Sequence, residues 1–209
     1  MRLPWLWAFL VAMIPGLLNT ANAQNFQDGV AYQSIVPEQP TSSPDKIEVL
    51  ELFWYGCPHC HRFEPYIERW LKTKPANVEF VRMPAVFNEG WEIHARAYYT
   101  AEVLGALDKI HDPLFRAIHS QKRKLNTEEA LQAFFVEQGV SADNFSKTFR
   151  SFAVDAKVRR AKEMGQRYGV RGTPAIVVNG KYWTDGTLAQ GGPAEMLKVT
   201  DFLVKKETR

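Results

Sequence analysis

Cys57-Pro58-His59-Cys60 holds the two cysteines of this chain, set three positions apart. A bridge between them closes so short a loop that it takes almost no entropy from the unfolded chain, so the pair braces nothing. It is placed to react, and the reaction two neighbouring sulfurs perform is thiol–disulfide exchange. Cys57 stands where an apolar strand-like run gives way to an amphipathic helix. Unpaired backbone N–H groups and the positive end of the helix dipole favour a thiolate there over a thiol. His59 adds an imidazole expected to donate to that sulfur, or to pair with it when charged, and Pro58 completes the dipeptide between the sulfurs. A thiolate exists only in the reduced state, so stabilising it makes the disulfide easier to reduce and the protein a stronger oxidant. Cys60, one turn inward on the same helix face, is the candidate resolving thiol. Its proton needs an acceptor. Glu51, the one ionisable side chain on the Ile47–Val49–Phe53 face of the preceding run, is the candidate, because burial raises a carboxyl toward neutrality.

Several elements must hold these residues in place. Ile47 to Phe53 is apolar on both alternating faces, as a central strand covered by helices should be. Pro58 to Leu71 follows as a helix whose Phe63, Tyr66, Ile67, Trp70 and Leu71 form one buried stripe. Val78 to Met83 makes a second strand, and the strand–helix–strand order implies a right-handed parallel crossover. From about 86 to 168 the periodicity is helical, with segments near Trp91–Leu104, Asp112–Ser120, Thr127–Gln138, Ala142–Phe149 and Phe152–Tyr168. Asn126 with Glu129 reads as a capping box, Ser141 as a second N-cap, and Gly139 and Gly169 as helix stops. Ala175 to Val178, Asn179-Gly180 and Lys181 to Trp183 read as a hairpin about a type I′ turn, and Pro193 to Val204 as a closing helix. Pro37 to Pro44 is an exposed lead-in. The fold class is α/β, one domain over 24–209 with an inserted all-helical subdomain.

The first residues set the address. Arg2, an apolar run from Leu3 to Leu18 and small residues at Ala21 and Ala23 mark 1–23 as a cleaved export signal. The run is shorter than a spanning helix needs, and Pro15-Gly16 interrupts it. The formal charge of +3 falls to +2 without Arg2, too weak to argue for a nucleic-acid or acidic-substrate partner. An exported, oxidising setting suits a pair that cycles between disulfide and dithiol.

Strand, CxxC, helix, strand, helical insertion, then Gly172-Thr173-Pro174 before an Asn-Gly hairpin and a last helix resembles the thioredoxin superfamily. Cys-Pro-His-Cys, Glu51 six residues before Cys57, and the export signal narrow the likeness to the DsbA-type periplasmic thiol:disulfide oxidoreductases. A very acidic leading cysteine and a high potential are that family's hallmark. The resemblance implies a thioredoxin-like fold, a cis bond before Pro174, and Thr173 and Pro174 as substrate contacts that pair through the backbone. It implies a periplasmic disulfide oxidase acting on unfolded or partly folded exported polypeptides with free thiols. Its redox group is the Cys57–Cys60 disulfide, with no further cofactor or metal. A membrane-bound, quinone-linked, DsbB-like partner would reoxidise it.

Rival readings exist. Cys57 to His61 also satisfies CxxCH, the c-type haem attachment pattern, with His61 as axial ligand. A porphyrin there has no room between a buried strand and a crossover helix. Zinc would need a fourth ligand beyond the cysteines and His59 or His61, and His94, His111 and His119 read as surface or packed polar residues. A reductase or isomerase of the same fold is a closer rival, although the short stretch before Ile47 leaves no space for a dimerisation domain and favours a monomer. A binding module would use Trp54, Tyr55, Trp91 and Trp183 as an exposed apolar groove.

Overall fold

A computed structural model describes residues 25–208, so the expected signal segment and the Gln24 terminus lie outside it. The elements run β1 (Gln33–Ser34), β2 (Ile47–Phe53), α1 (Pro58–Leu71), β3 (Val78–Pro84), α2 (Glu89–Val103) and α3 (Leu107–His119). They continue with α4 (Glu128–Glu137), α5 (Ala142–Phe149), α6 (Phe152–Arg167), β4 (Ala175–Val178), β5 (Tyr182–Asp185) and α7 (Gly192–Glu207). The strands form one mixed sheet in the order β1-β5-β4-β2-β3. β2 is its spine, parallel to β3 and antiparallel to β4, and all seven of its residues are buried. This is the α/β thioredoxin-like architecture, with α2 to α6 filling the span between β3 and β4.

Two apolar clusters flank the sheet. Leu50, Leu52 and Phe53 pack with Phe115, Phe135 and Phe145 of the inserted helices. Val49 packs with Phe63, Ile67 and Trp70 of α1 and with Val199 and Leu203 of α7. Each such side chain contributes about 1.5–3 kcal/mol when fully buried, so α1 is clamped on its apolar stripe while its first turn stays at the surface. A rigid helix under a surface-facing N-terminus is what a reactive cysteine requires.

Some boundaries differ from the sequence reading. The Pro37 to Pro44 lead-in is exposed or half-buried, as expected, but the stretch before it is structural: Tyr32 and Ile35 are buried and β1 pairs with β5, an edge too short to show a period. At the hairpin, Asn179 and Gly180 both take positive φ (53° and 66°), but strand pairing resumes at Val178 opposite Tyr182, so the turn holds one more residue than a simple type I′ loop. A Cβ on Gly180 would lie 2.0 Å from the Gln39 carbonyl oxygen, and the Gln39 N–H donates to Gly180 O at 2.9 Å. The lead-in therefore crosses at this glycine. α3 starts at Leu107 rather than Asp112. Its internal Pro113 forfeits a bond to the Lys109 carbonyl, on an exposed turn where water can take it. The α4 cap is Thr127, whose hydroxyl accepts from the Ala130 N–H at 3.2 Å, in place of Asn126. Ser141 caps α5 as expected, and Gly139 and Gly169 follow their helices at φ 87° and 70°.

Candidate active site

Pro58 opens α1, where a missing N–H costs nothing, and Cys57 takes the extended backbone of an N-cap. Both sulfurs are free thiols. Cys57 is 7% exposed and Cys60 0%, so an incoming thiolate can reach only the first. The loop before β4 closes over Cys57 through a cis Thr173–Pro174 bond, and the Cys57 thiol donates to the Thr173 carbonyl at 3.3 Å.

The Cys57 pKa is lowered to about 5. A hydrogen bond with the Cys60 thiol is the largest cause; burial opposes it, and Thr173 and the backbone N–H groups of Cys60 and His59 add to the pull. Thr173 acts in two senses. Its carbonyl, accepting from the thiol, favours the protonated sulfur, while its buried hydroxyl, without a partner among the described residues while the thiol is protonated, gains one when the sulfur becomes an anion. The hydroxyl prevails, because S–H is a weak donor and a thiolate a strong acceptor. Cys60 is pushed well above the ordinary cysteine range by burial first and by its contact with Cys57 second. One sulfur is acidic and the other is not, three residues apart.

His59 serves differently from the expectation. Its ring is exposed and its Nδ1 accepts from Arg62 Nη2 at 3.0 Å, so it reaches Cys57 through its backbone N–H and not through its imidazole. Glu51 is fully buried. The β2–β3 register sets Arg82 directly opposite, and Arg82 Nε donates to Glu51 Oε2 at 3.1 Å. Arg82 Nη2 also donates to Glu64 Oε2 at 2.6 Å, and His111 stands 3.4 Å from Glu64 Oε1 and 2.9 Å from the Tyr55 hydroxyl. Two buried carboxylates share one guanidinium, so one of them must hold a proton to keep the cluster neutral. Burial, then repulsion from Glu64, pushes Glu51 up to about 8. Burial also opposes ionisation of Glu64, but the His111 bond and the Arg82 charge outweigh it and keep Glu64 below the usual carboxylate range. Among the described residues Glu51 Oε1 has no hydrogen-bond partner, and the Glu51 charge acts on Cys60.

The sequence reading singles out neither Arg82 nor Glu64, and it marks His111 only as a surface or packed polar residue, not as part of this cluster. Arg82 interrupts an apolar strand, and Glu64 shares the Cys60 and Ile67 face of α1 at i, i+4, i+7, so both left a signal. His111, far along the chain, left none.

The rivals lose their footing. His61 is half-buried and stacked on His119, ring centroids 5.0 Å apart. Tyr55 is wholly buried, and Trp54 stacks on Trp91 at 4.2 Å against the core, which removes the exposed aromatic groove. Glu64, His111 and Asp112 form a grouping of metal-ligand type among the described residues, apart from the cysteines, but Arg82 already occupies Glu64.

Residues 82–191 match the DSBA-like thioredoxin domain family. The chain is 43% identical to the thiol:disulfide interchange protein DsbA of Pseudomonas aeruginosa over 187 residues, covering 90% of this chain and 88% of the relative. It is 41% identical to that of Pseudomonas syringae over 200 residues, covering 96% and 92%. The crystal structure of Pseudomonas aeruginosa DsbA superposes with a TM-score of 0.82 at 43% identity, covering 88% of this chain and 95% of that one. DsbA from Xylella fastidiosa gives 0.81 at 34% identity, covering 87% and 97%. With an acidic, reachable Cys57, a buried Cys60 and this likeness along almost the whole described chain, the protein belongs to the DsbA family of thiol:disulfide oxidoreductases.

Proposed function

We propose that this chain oxidises newly exported polypeptides in the periplasm, giving up a Cys57–Cys60 disulfide through a mixed disulfide at Cys57. The single observation that carries this is the contrast in acidity: Cys57 at about 5 beside Cys60 well above the ordinary range. At pH 7 a cysteine of that acidity stabilises the reduced state by at most roughly 3 kcal/mol, on the order of 60 mV, before solvent screening takes its share. That bias runs toward donating a bridge.

In the cycle, a substrate thiolate attacks Cys57 Sγ of the oxidised pair. The Cys57–Cys60 bond breaks as the mixed disulfide forms, and Cys60 leaves with the electron pair. Cys60 is a poor anion, so Glu51, protonated at neutral pH, hands it a proton. The second substrate thiolate then attacks the substrate sulfur and expels Cys57, which stays anionic. Two electrons pass from the substrate dithiol to the Cys57–Cys60 pair. In the reverse sense Cys60, deprotonated by Glu51, resolves a trapped mixed disulfide. Thr173 and Pro174 offer backbone beside the sulfur for an extended substrate, and Pro58 and His59 shape the rim. A membrane-bound, quinone-linked, DsbB-like acceptor restores the disulfide, and the enzyme works as a monomer with no cofactor beyond its own sulfurs.

The equilibrium potential of the Cys57–Cys60 couple against glutathione tests the direction. A strongly oxidising value is expected, and a value near that of thioredoxin would assign the chain to reduction instead.

A further inference from the structure

The hollow beside Cys57 carries a charge that the redox chemistry leaves unused. Arg62, one turn into α1, is exposed and forms no ion pair with a carboxylate among the described residues. Together with His59, Thr173, Pro174, Asp185 and Thr187 it lines a cavity of about 560 Å³. Asp185 is the acidic group on that lining, and its Oδ1 is already taken by the Thr187 and Leu188 N–H groups at 2.8 and 2.9 Å. Arg62 meanwhile is steered by one bond, from Nη2 to His59 Nδ1. A guanidinium has five donors, so a planar fork remains free on the lining of the hollow. That fork matches a carboxylate.

We propose that Arg62 determines specificity: it favours substrate segments with an Asp or Glu side chain next to the reactive cysteine. The inference rests on the reading that Thr173 and Pro174 hold the substrate backbone. An extended segment lying there advances about 3.3 Å per residue, which carries a flanking side chain into the hollow while its cysteine meets Cys57. Arg62 touches no reacting sulfur, so its effect falls on recognition.

The test uses the oxidised mature protein and three dithiol peptides that differ only beside the first cysteine, carrying Glu, Gln or Lys. Stopped-flow rate constants are compared as ratios between peptides, so any common change in Cys57 reactivity divides out. The Glu-to-Lys ratio should be about two- to fivefold higher for the native protein than for Arg62→Gln, the range an exposed ion pair supplies. Arg62→Glu should lower it further, and 1 M salt should erase most of the native advantage. Moving the acidic residue six positions from the cysteine should abolish the effect; persistence there would mean long-range attraction and overturn the assignment. Equal ratios in the native protein, Arg62→Gln and Arg62→Glu would also overturn it, leaving the oxidase reading intact. Failure of the native protein to oxidise any of the peptides would instead remove the oxidase reading, and this inference with it.

Discussion

The front and the back of helix α1 treat the same element, sulfur, in opposite ways. At the front, Cys57 meets N–H and hydroxyl groups at a rim that water can reach, and the anion is favoured. Behind, Cys60 meets apolar side chains and a carboxyl cluster that already shares one cation between two acids, and the proton is favoured. The pair sits on one turn of one helix, so sequence spacing cannot separate its members. Donor count and burial do. An oxidase needs this asymmetry: one sulfur that leaves easily, and one that is unreachable and kept protonated.

The bluntest way to break that asymmetry is Cys57→Ser, which should abolish disulfide formation in a reduced substrate assay, while Cys60→Ser, offered a substrate that already carries a disulfide, should attack it through Cys57 and trap a mixed disulfide visible on a non-reducing gel, with the second substrate sulfur released as a thiol. Next comes the back of the helix. Arg82→Met leaves Glu64 charged and buried without its cation, and should cost about 3 kcal/mol in a denaturant titration, with Glu51 little affected because it already carries a proton.

The pH dependence sharpens the comparison from both sides. Cys57 is depressed in the folded, reduced protein, so the stabilisation it supplies is complete above the ordinary cysteine value near 9 and is lost as pH falls through about 5. The stability of reduced relative to oxidised protein should therefore climb between pH 5 and 9, by no more than about 1.4 kcal/mol per unit. A flat difference would mean that the front does not hold an anion. Glu51 has the opposite sign. Its pKa is raised, so its folded form takes up a proton, and stability drains away from about 4.5 upward until about 8. Glu51→Gln should gain stability relative to the native protein across that window and level off above it. The smallest effect is expected for Thr173→Val, which removes the hydroxyl but keeps the shape. Losing one hydrogen bond of about 1 kcal/mol should raise the Cys57 pKa by roughly half to one unit, read from thiolate absorbance.

Much of this was legible in the chain. The two-faced apolar run of β2, the stripe on α1, the Asn-Gly turn and the Ser141 cap are local patterns, and the elements they mark are present. The CxxC at a strand-to-helix junction announced its chemistry, because a helix N-terminus is a local feature with a known electrostatic sign. Glu51 could be picked out because an acid standing alone on its face of an apolar strand is costly to bury and persists there only with a proton or a cationic partner.

The remainder depended on residues that meet only in three dimensions. His59 looked like the partner of Cys57, but Arg62, three residues on and across the turn, claims its ring. The Thr173 hydroxyl contributes to the Cys57 anion from 116 positions away. Arg82 faces Glu51 only because β2 and β3 align in one register, and His111 reaches Glu64 only because α3 packs on α1. Composition and spacing determine which groups are capable of redox work. Which proton each group holds is a property of its neighbours, and burial and charge act over a few ångströms regardless of separation along the chain.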